Sequence, residues 1–412
     1  MKKTILTLTL ALSGLFTIAA DIYVNGSGNT NTYTTIQAAV NASSSGDNIY
    51  VATVGTYSEV VTVSNKSLFI MASIAGEEFT LSGSFTLSPG SGNEVTIIGM
   101  YNGNVTASGY GTVNLISSFI SSISNNSGDI KMNVYDCEVT NSFVIDNGSV
   151  KGCTIRGGLN ITNDPGATGD TIRIMGNYIE GGMDWSSQSA YFEICNNYIE
   201  NVNTASSTQS IGIDVYYIQT SPGGTNLISN NTIKTYGNSS HNFLSNGFNS
   251  AYVIAGIRFY STSNGQNLVI ANNFLDVSNT YGNANYSPEC AIFSNNQMRN
   301  ALVANNYYNC NDFIYNFSNS SLIDNGSSSV SWTYSSSTGV ISSQSAVNMG
   351  LDQIEYRDID NTRNDIGTSG GPHAWSNYNT TNGKAAVFNL ELPFQLYIGG
   401  NHNIKVKGFH KN

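Results

Sequence analysis

The sequence predicts an all-β solenoid, a chain wound into stacked coils of short parallel strands. Three observations carry that expectation. One phrase recurs: IMGNYIE at 174–180, EICNNYIE at 193–200, ISNNTIK at 228–234, IANNFLD at 270–276 and VANNYYN at 303–309. Its aligned asparagines, Asn177, Asn197, Asn231, Asn273 and Asn306, stand 20, 34, 42 and 33 residues apart, so constant strands are joined by variable loops. A second, Gly-led phrase returns in step with the first: GLNI from 158, GMDW from 182, GIDV from 212, GIRF from 256, continued by AIFS from 291. The third observation is compositional: 41 glycines among short β-branched runs, with long amphipathic helices nearly absent, ask for many turns and many strands.

The chain opens MKKTILTLTLALSGLFTIAA, with Lys2 and Lys3, a short apolar run and small residues at Ala19 and Ala20. This reads as a secretory signal peptide over residues 1–20, too short for a membrane anchor. Export, to the extracellular space, the cell surface or the periplasm, is the expectation, and no later apolar run is long enough to span a bilayer. The formal net charge is −11, with no basic stripe, which excludes the usual nucleic-acid binder. Only 10% of residues are charged, so the polar groups must be satisfied mainly by neutral hydrogen bonds.

Within each coil, position zero is the aligned Asn, with Cys137 and Cys153 standing there in the earlier VYDCEV and VKGCTI. Position +2 is Val139, Ile155, Ile179, Ile199, Ile233 and Leu275, the period of a strand with one face in a core. Stacking at about 4.8 Å per coil sets each position-zero side chain against its neighbours. A bend leaves backbone groups without ladder partners, and Asn both tolerates bent backbone and bonds to it. The Asn pairs are therefore expected to hold the fold through a carboxamide ladder. The five cysteines, Cys137, Cys153, Cys195, Cys290 and Cys310, show no disulfide or metal-ligand spacing and read as buried small side chains.

Two end segments add a resemblance. TYTTIQAAVNASSSGDNIYVATVGTYSEVVTV, residues 32–63, and DIDNTRNDIGTSGGP, residues 358–372, resemble the entry and the terminal segment of the pectate-lyase-like right-handed parallel β-helix proteins. The resemblance implies a single right-handed parallel β-helix over 21–372, with an amphipathic helix at 32–42 (Ile36, Ala39, Val40) covering the open end of the core. A cap is expected physically too, because an uncovered end is a sheet edge. The family includes lyases, hydrolases and non-catalytic surface proteins, so it implies no one activity. Residues 358–372 concentrate Asp358, Asp360 and Asp365. Their spacing departs from an EF-hand loop, so a turn with Arg357 and Arg363 pairing the acids is expected over a calcium site. Beyond it, residues 373–412 alternate apolar and polar residues like antiparallel strands and form a short β tail.

In lyases of this fold the substrate lies along one strand face, which directs attention to the Gly-led strands. The segments before them, 201–211, 235–255 and 277–289, are long and rich in Ser, Asn, Gly and Tyr. With the second and fourth residues of each Gly-led phrase inward, the third points out, giving the column Asn160, Asp184, Asp214, Arg258. Tyr216 and Tyr260 follow two residues on. Asp184, Asp214 and Arg258 are the candidate catalytic residues, with Asn160, Tyr216 and Tyr260 as candidate substrate-binding residues. In the lyase reading Asp184 and Asp214 hold Ca²⁺ against a uronate carboxylate, and Arg258 or a tyrosine removes the adjacent proton. An arginine base conflicts with its ordinary pKa, although the resemblance implies that role. A glycoside hydrolase would use the two carboxylates as acid and base. The competing reading is a solvated face with a stacked Asp214–Arg258 ion pair. A second column, Tyr178, Tyr198, Phe274 and Tyr307 at position +1, offers outward rings that either stack on sugars or stabilise the sheet.

No lyase signature surrounds these residues. The function expected is therefore interaction with a polysaccharide or cell-surface glycan, non-catalytic and adhesin-like, with a Ca²⁺-dependent lyase or a hydrolase as the alternative.

Overall fold

The structure is a computed structural model, and it describes residues 19–25, 31–162, 169–206, 209–238, 253–260, 264–279, 289–327, 347–353, 356–358, 360, 362–372, 374, 385–391 and 405–410. Residues 1–18 of the expected signal peptide, the segments 239–252 and 280–288, and the tail outside its two strands lie outside the described residues.

The chain is a parallel β-helix. One coil illustrates the build: Tyr191–Cys195 forms a first face, Tyr198–Ser206 a second and Ser210–Val215 a third. Each strand pairs in parallel with its counterparts one coil away. Ile194 stands between Ile174 and Ile228, Ile199 between Ile179 and Ile233, and Ile213 between Met183 and Ile257. The inward set has a period of two on every face, which stacks the β-branched side chains in columns within a fully buried core. The position +2 residues from Val139 to Leu275 are all in it. The pairing runs unbroken from Asp21–Val24 to Gly326–Ser327.

The open N-terminal end is covered by the helix Ile36–Ala42, with Ile36, Ala39 and Val40 buried. Thr35 caps it by accepting from Ala38 N–H. The Glu59 carboxylate, brought up from the first coil, accepts from Ile36 and Gln37 N–H at 2.8 and 2.9 Å, satisfying two more of the helix's orphan donors.

The two asparagines of each pair do different jobs. The first, Asn196, Asn230, Asn272 or Asn305, turns the corner in left-handed backbone with φ between 52° and 59°, where Gly152 and Gly176 stand in the coils before. The second points in and joins the ladder. Asn177 Nδ2 donates to Asn197 Oδ1, Asn197 to Asn231, Asn231 to Asn273, Asn273 to Asn306 and Asn306 to Asn325, all at 2.9–3.0 Å. Each Oδ1 also takes the backbone N–H of the previous coil, as Asn231 does from Asn197 at 3.0 Å. Cys137 and Cys153 fill the same position, and four of the five cysteines are buried, all of them free thiols.

The described residues of 347–371 form a strap that runs back along this Asn corner. Met349 O accepts from Asn305 Nδ2, Leu351 N–H donates to Asn272 Oδ1, Asn364 pairs with Asn230, and Gly370 O accepts from Asn196 Nδ2. The corner asparagines thus serve a second time, as anchors. The expected pairing of Arg357 and Arg363 with the acids of 358–372 is replaced by other partners. Arg357 bonds Asp352, and Arg363 donates to the Gly350 carbonyl. Asp358 instead accepts backbone N–H from Asp365 and Gly371, and Asp360 holds Thr362. The acids close local turns of the strap, so the basic groups are not needed there. In the tail, Ala385–Glu391 and Lys405–His410 pair antiparallel.

Candidate functional site

The third face carries the predicted column in the predicted register: Asn160 beside Asp184, Asp184 beside Asp214, Asp214 beside Arg258. The sequence builds it by alternation. Leu159 and Ile161, Met183 and Trp185, Ile213 and Val215, Ile257 and Phe259 are buried in the core, so the residue between each pair faces out.

Facing out of the coil is not the same as meeting solvent. Asp214 and Arg258 are only 3% and 1% exposed. Arg258 Nε donates to Asp214 Oδ1 at 2.9 Å, and its Nη2 forms a short bond to Oδ2, a bidentate pair. Arg258 Nη1 donates to Gln209 Oε1 at 2.8 Å, and the guanidinium lies 5.2 Å from the Tyr260 ring centroid. Both carboxylate oxygens of Asp214 are therefore occupied by the guanidinium.

Asp184 is the solvent-facing end of this group. The residue is exposed, but its carboxyl lies against the column and loses part of its hydration. That desolvation, and then the Asp214 charge, push its pKa above the ordinary value, while Arg258 pulls it back. Asn160, one coil below, is half-buried. Because the folded pKa of Asp184 is raised, the folded state takes up the extra proton first, and the ionised form is a cost above that pKa. Asp184→Asn is expected to raise stability at pH 7 by a fraction of a kcal/mol, about what a partly solvated charge allows, and to lose that advantage on acidification. Thermal melts of both proteins from pH 4 to 8 check this; a variant less stable than the parent at pH 7 refutes it.

Tyr216 and Tyr260 stand one above the other, centroids 5.0 Å apart and tilted by 37°. Tyr216 is half-buried and Tyr260 is 38% exposed, so the pair presents an accessible aromatic edge over the buried ion pair. Burial, then the Asp214 charge, keep the Tyr216 phenol above its ordinary pKa, and therefore neutral and able to donate a hydrogen bond.

Beyond Tyr260 lies a groove of about 710 Å³ lined by Asn264, Asn296, Gln297, Arg299 and Asn300, residues the sequence reading did not single out. Asn296 Nδ2 reaches Tyr260 O at 3.5 Å, which joins the groove to the tyrosines. Arg299 Nη2 donates to Gln297 Oε1 at 3.1 Å, and Asn300 Nδ2 to Asn264 Oδ1 at 3.2 Å. The signal in the sequence was the polar run NNQMRN, which follows AIFS directly.

The second-face ring column is mostly closed. Tyr178 and Tyr198 stack at 5.3 Å and 14°, but Tyr198 and Phe274 are buried, and Thr368 of the strap bonds Thr232 between them. These rings support the sheet. Among the described residues no three His, Cys, Asp or Glu side chains come together as a metal-ligand group. Among the described residues no helix is long and apolar enough to cross a membrane. No family model, curated protein or solved structure matches this chain.

Proposed function

We propose that this chain is an exported protein, akin to the pectate-lyase-like β-helix proteins, that binds a polysaccharide or cell-surface glycan along its third face without cleaving it. The observation that carries this reading is the accessible Tyr216–Tyr260 pair beside an amide-lined groove, joined to it by the bond from Asn296 to the Tyr260 carbonyl. Aromatic edges stack on the apolar faces of sugar rings, and side-chain amides match sugar hydroxyls as both donors and acceptors. The tyrosines supply the first and the groove beside them the second, on three successive coils, which suits an extended polymer.

Chemistry at the same face is disfavoured by how its charges are used. A lyase needs a group able to accept a proton, and the Arg258 guanidinium is buried and doubly bonded to Asp214. A Ca²⁺ ion would find Asp184 alone, since Arg258 takes both oxygens of Asp214. A hydrolase needs two accessible carboxylates, and only Asp184 is one.

The test is affinity electrophoresis against uronate and neutral polymers. Replacing both Tyr216 and Tyr260 by alanine is expected to weaken binding about tenfold or more, from about 1 kcal/mol per stacking ring. Tyr110→Ala, exposed elsewhere, is expected to change nothing. Unchanged retention of the double variant defeats the proposal. Ultraviolet-absorbing unsaturated ends released from a uronate polymer with Ca²⁺, or new reducing ends, would replace it with the lyase or the hydrolase.

A further inference from the structure

On the second face, in the N-terminal coils, the corner that the strap covers further along is open and forms a groove of about 750 Å³. Its origin is local. The corner segment 73–78, SIAGEE, bulges outward where later coils turn on a single left-handed residue. Gly99, at φ 69°, lets that bulge approach closely: a Cβ there would lie 2.7 Å from Glu77 O. The floor is the +1 column of this face, where Thr80, Tyr101 and Phe119 stand in register. Tyr101 and Phe119 stack with centroids 4.9 Å apart and 25° between planes, and Tyr101 is 41% exposed. This is a flat aromatic shelf inside a concavity.

The rim has one sign of charge. Glu77, Glu78, Asp136 and Glu138 line the groove together with the hydroxyls of Thr53, Thr80, Ser117 and Ser118. Glu77 accepts from Thr53, Asp136 from Ser117, and Glu138 from Arg156, the one cation bonded to this rim among the described residues. Glu78 takes no hydrogen bond or ion pair among the described residues, and its partial burial raises its pKa. The groove therefore combines a surface for stacking, hydroxyls for hydrogen bonding and excess negative charge. The amide groove beside Tyr260 is lined instead by carboxamides and by Arg299, a cation.

We infer that this groove binds a glycan bearing free amino groups, its sugar ring on the Tyr101–Phe119 shelf and its ammonium on the Glu78 carboxylate. A ring stacked on the shelf places its substituents toward the rim, where the hydroxyls and carboxylates stand. Acetylation of the amine removes the charge, and a basic peptide supplies charge without the ring to stack. The site is independent of the third-face reading and selects for a positive charge, which that reading does not require.

The test is isothermal titration of the full chain with three probes: a β-1,4-linked glucosamine hexamer, its fully N-acetylated counterpart and hexalysine. The glucosamine hexamer is expected to bind at least about tenfold more tightly than either of the others and to weaken as salt rises. Tyr101→Ala and Glu78→Gln, both at exposed positions, are each expected to weaken it about tenfold with the melting temperature unchanged. Tyr216→Ala with Tyr260→Ala is expected to leave it intact. Equal binding of the acetylated hexamer or of hexalysine, absence of binding, or insensitivity to Tyr101→Ala overturns the assignment. Loss of glucosamine binding in the Tyr216/Tyr260 variant places the ligand on the third face, which would overturn this site and leave the proposed function standing.

Discussion

Replacing Arg258 by methionine is expected to cost about 3–5 kcal/mol, because it leaves the Asp214 carboxylate buried without its cation. Asp214→Leu is expected to cost a similar amount by stranding the guanidinium. The double variant, Asp214→Leu with Arg258→Met, is expected to recover most of the loss, since apolar side chains of similar volume avoid the desolvation of both ions. The recovery is the informative quantity: the coupling between the two sites should approach the sum of the two single effects. A solenoid's stability is close to a sum of coil and nearest-neighbour contributions, so a global melt understates a local defect. Hydrogen exchange in Ser210–Val215 and Ile254–Phe259 is the measurement that resolves it. Single variants that cost under about 1 kcal/mol would mean that the pair is effectively solvated, as an exposed ion pair is, and would reopen Arg258 to a chemical role.

The same pair shows where sequence reasoning stops. Asn160, Asp184, Asp214 and Arg258 were legible as one column because a strand has period two and the Gly-led phrases keep their frame across variable loops. Register follows from that alone. Burial does not, because it depends on what crosses the face, and the segments that precede these strands follow no repeat. Only Asp184 of the three charged residues meets solvent. The groove beside Tyr260 was missed for a related reason. The frame slips after Phe293, with a register shift before Met298, so Asn296 and Arg299 stand at no counted position.

The strap is the largest element that the sequence does not announce. Its bonds to the corner join residues from 44 positions apart, Asn305 to Met349, to 174 apart, Asn196 to Gly370, and no local periodicity records partners at such distances. It also settles which second-face rings meet solvent. Tyr178, Tyr198 and Phe274 share a position in the repeat with Tyr101 and Phe119. The strap passes the coils of Tyr198 and Phe274, where the rings are buried, while the N-terminal coils keep Tyr101 and Phe119 in an open groove.

The Asn pair offers the sharpest separation of roles, because its two members can be removed one at a time. Asn231 is fully buried in the middle of the ladder. Its Oδ1 accepts from Asn197 N–H and Asn197 Nδ2, both at 3.0 Å, and its Nδ2 donates to Ile194 O at 2.8 Å and Asn273 Oδ1 at 2.9 Å. Asn231→Ala removes four hydrogen bonds where water has no access and leaves two Asn197 N–H donors without a partner, while Asn273 Oδ1 keeps the Asn231 backbone N–H; at about 1 kcal/mol per bond, a loss of about 4 kcal/mol is expected. Asn325→Ala, at the less buried end of the ladder, is expected to cost about 1 kcal/mol, because water can replace the lost partner. Asn230→Gly should behave differently again. Glycine accepts φ 55° without strain, so the coil keeps its turn, but the bonds to Asn364 and Asp365 are lost. Amide exchange is expected to accelerate across 364–371 in that variant and to stay unchanged in Asn226–Ser229 and Thr232–Asn238. If Asn230→Gly loosens the coil strands as much as Asn231→Ala does, the corner and the ladder are one cooperative unit, and the division of labour drawn from their geometry is wrong.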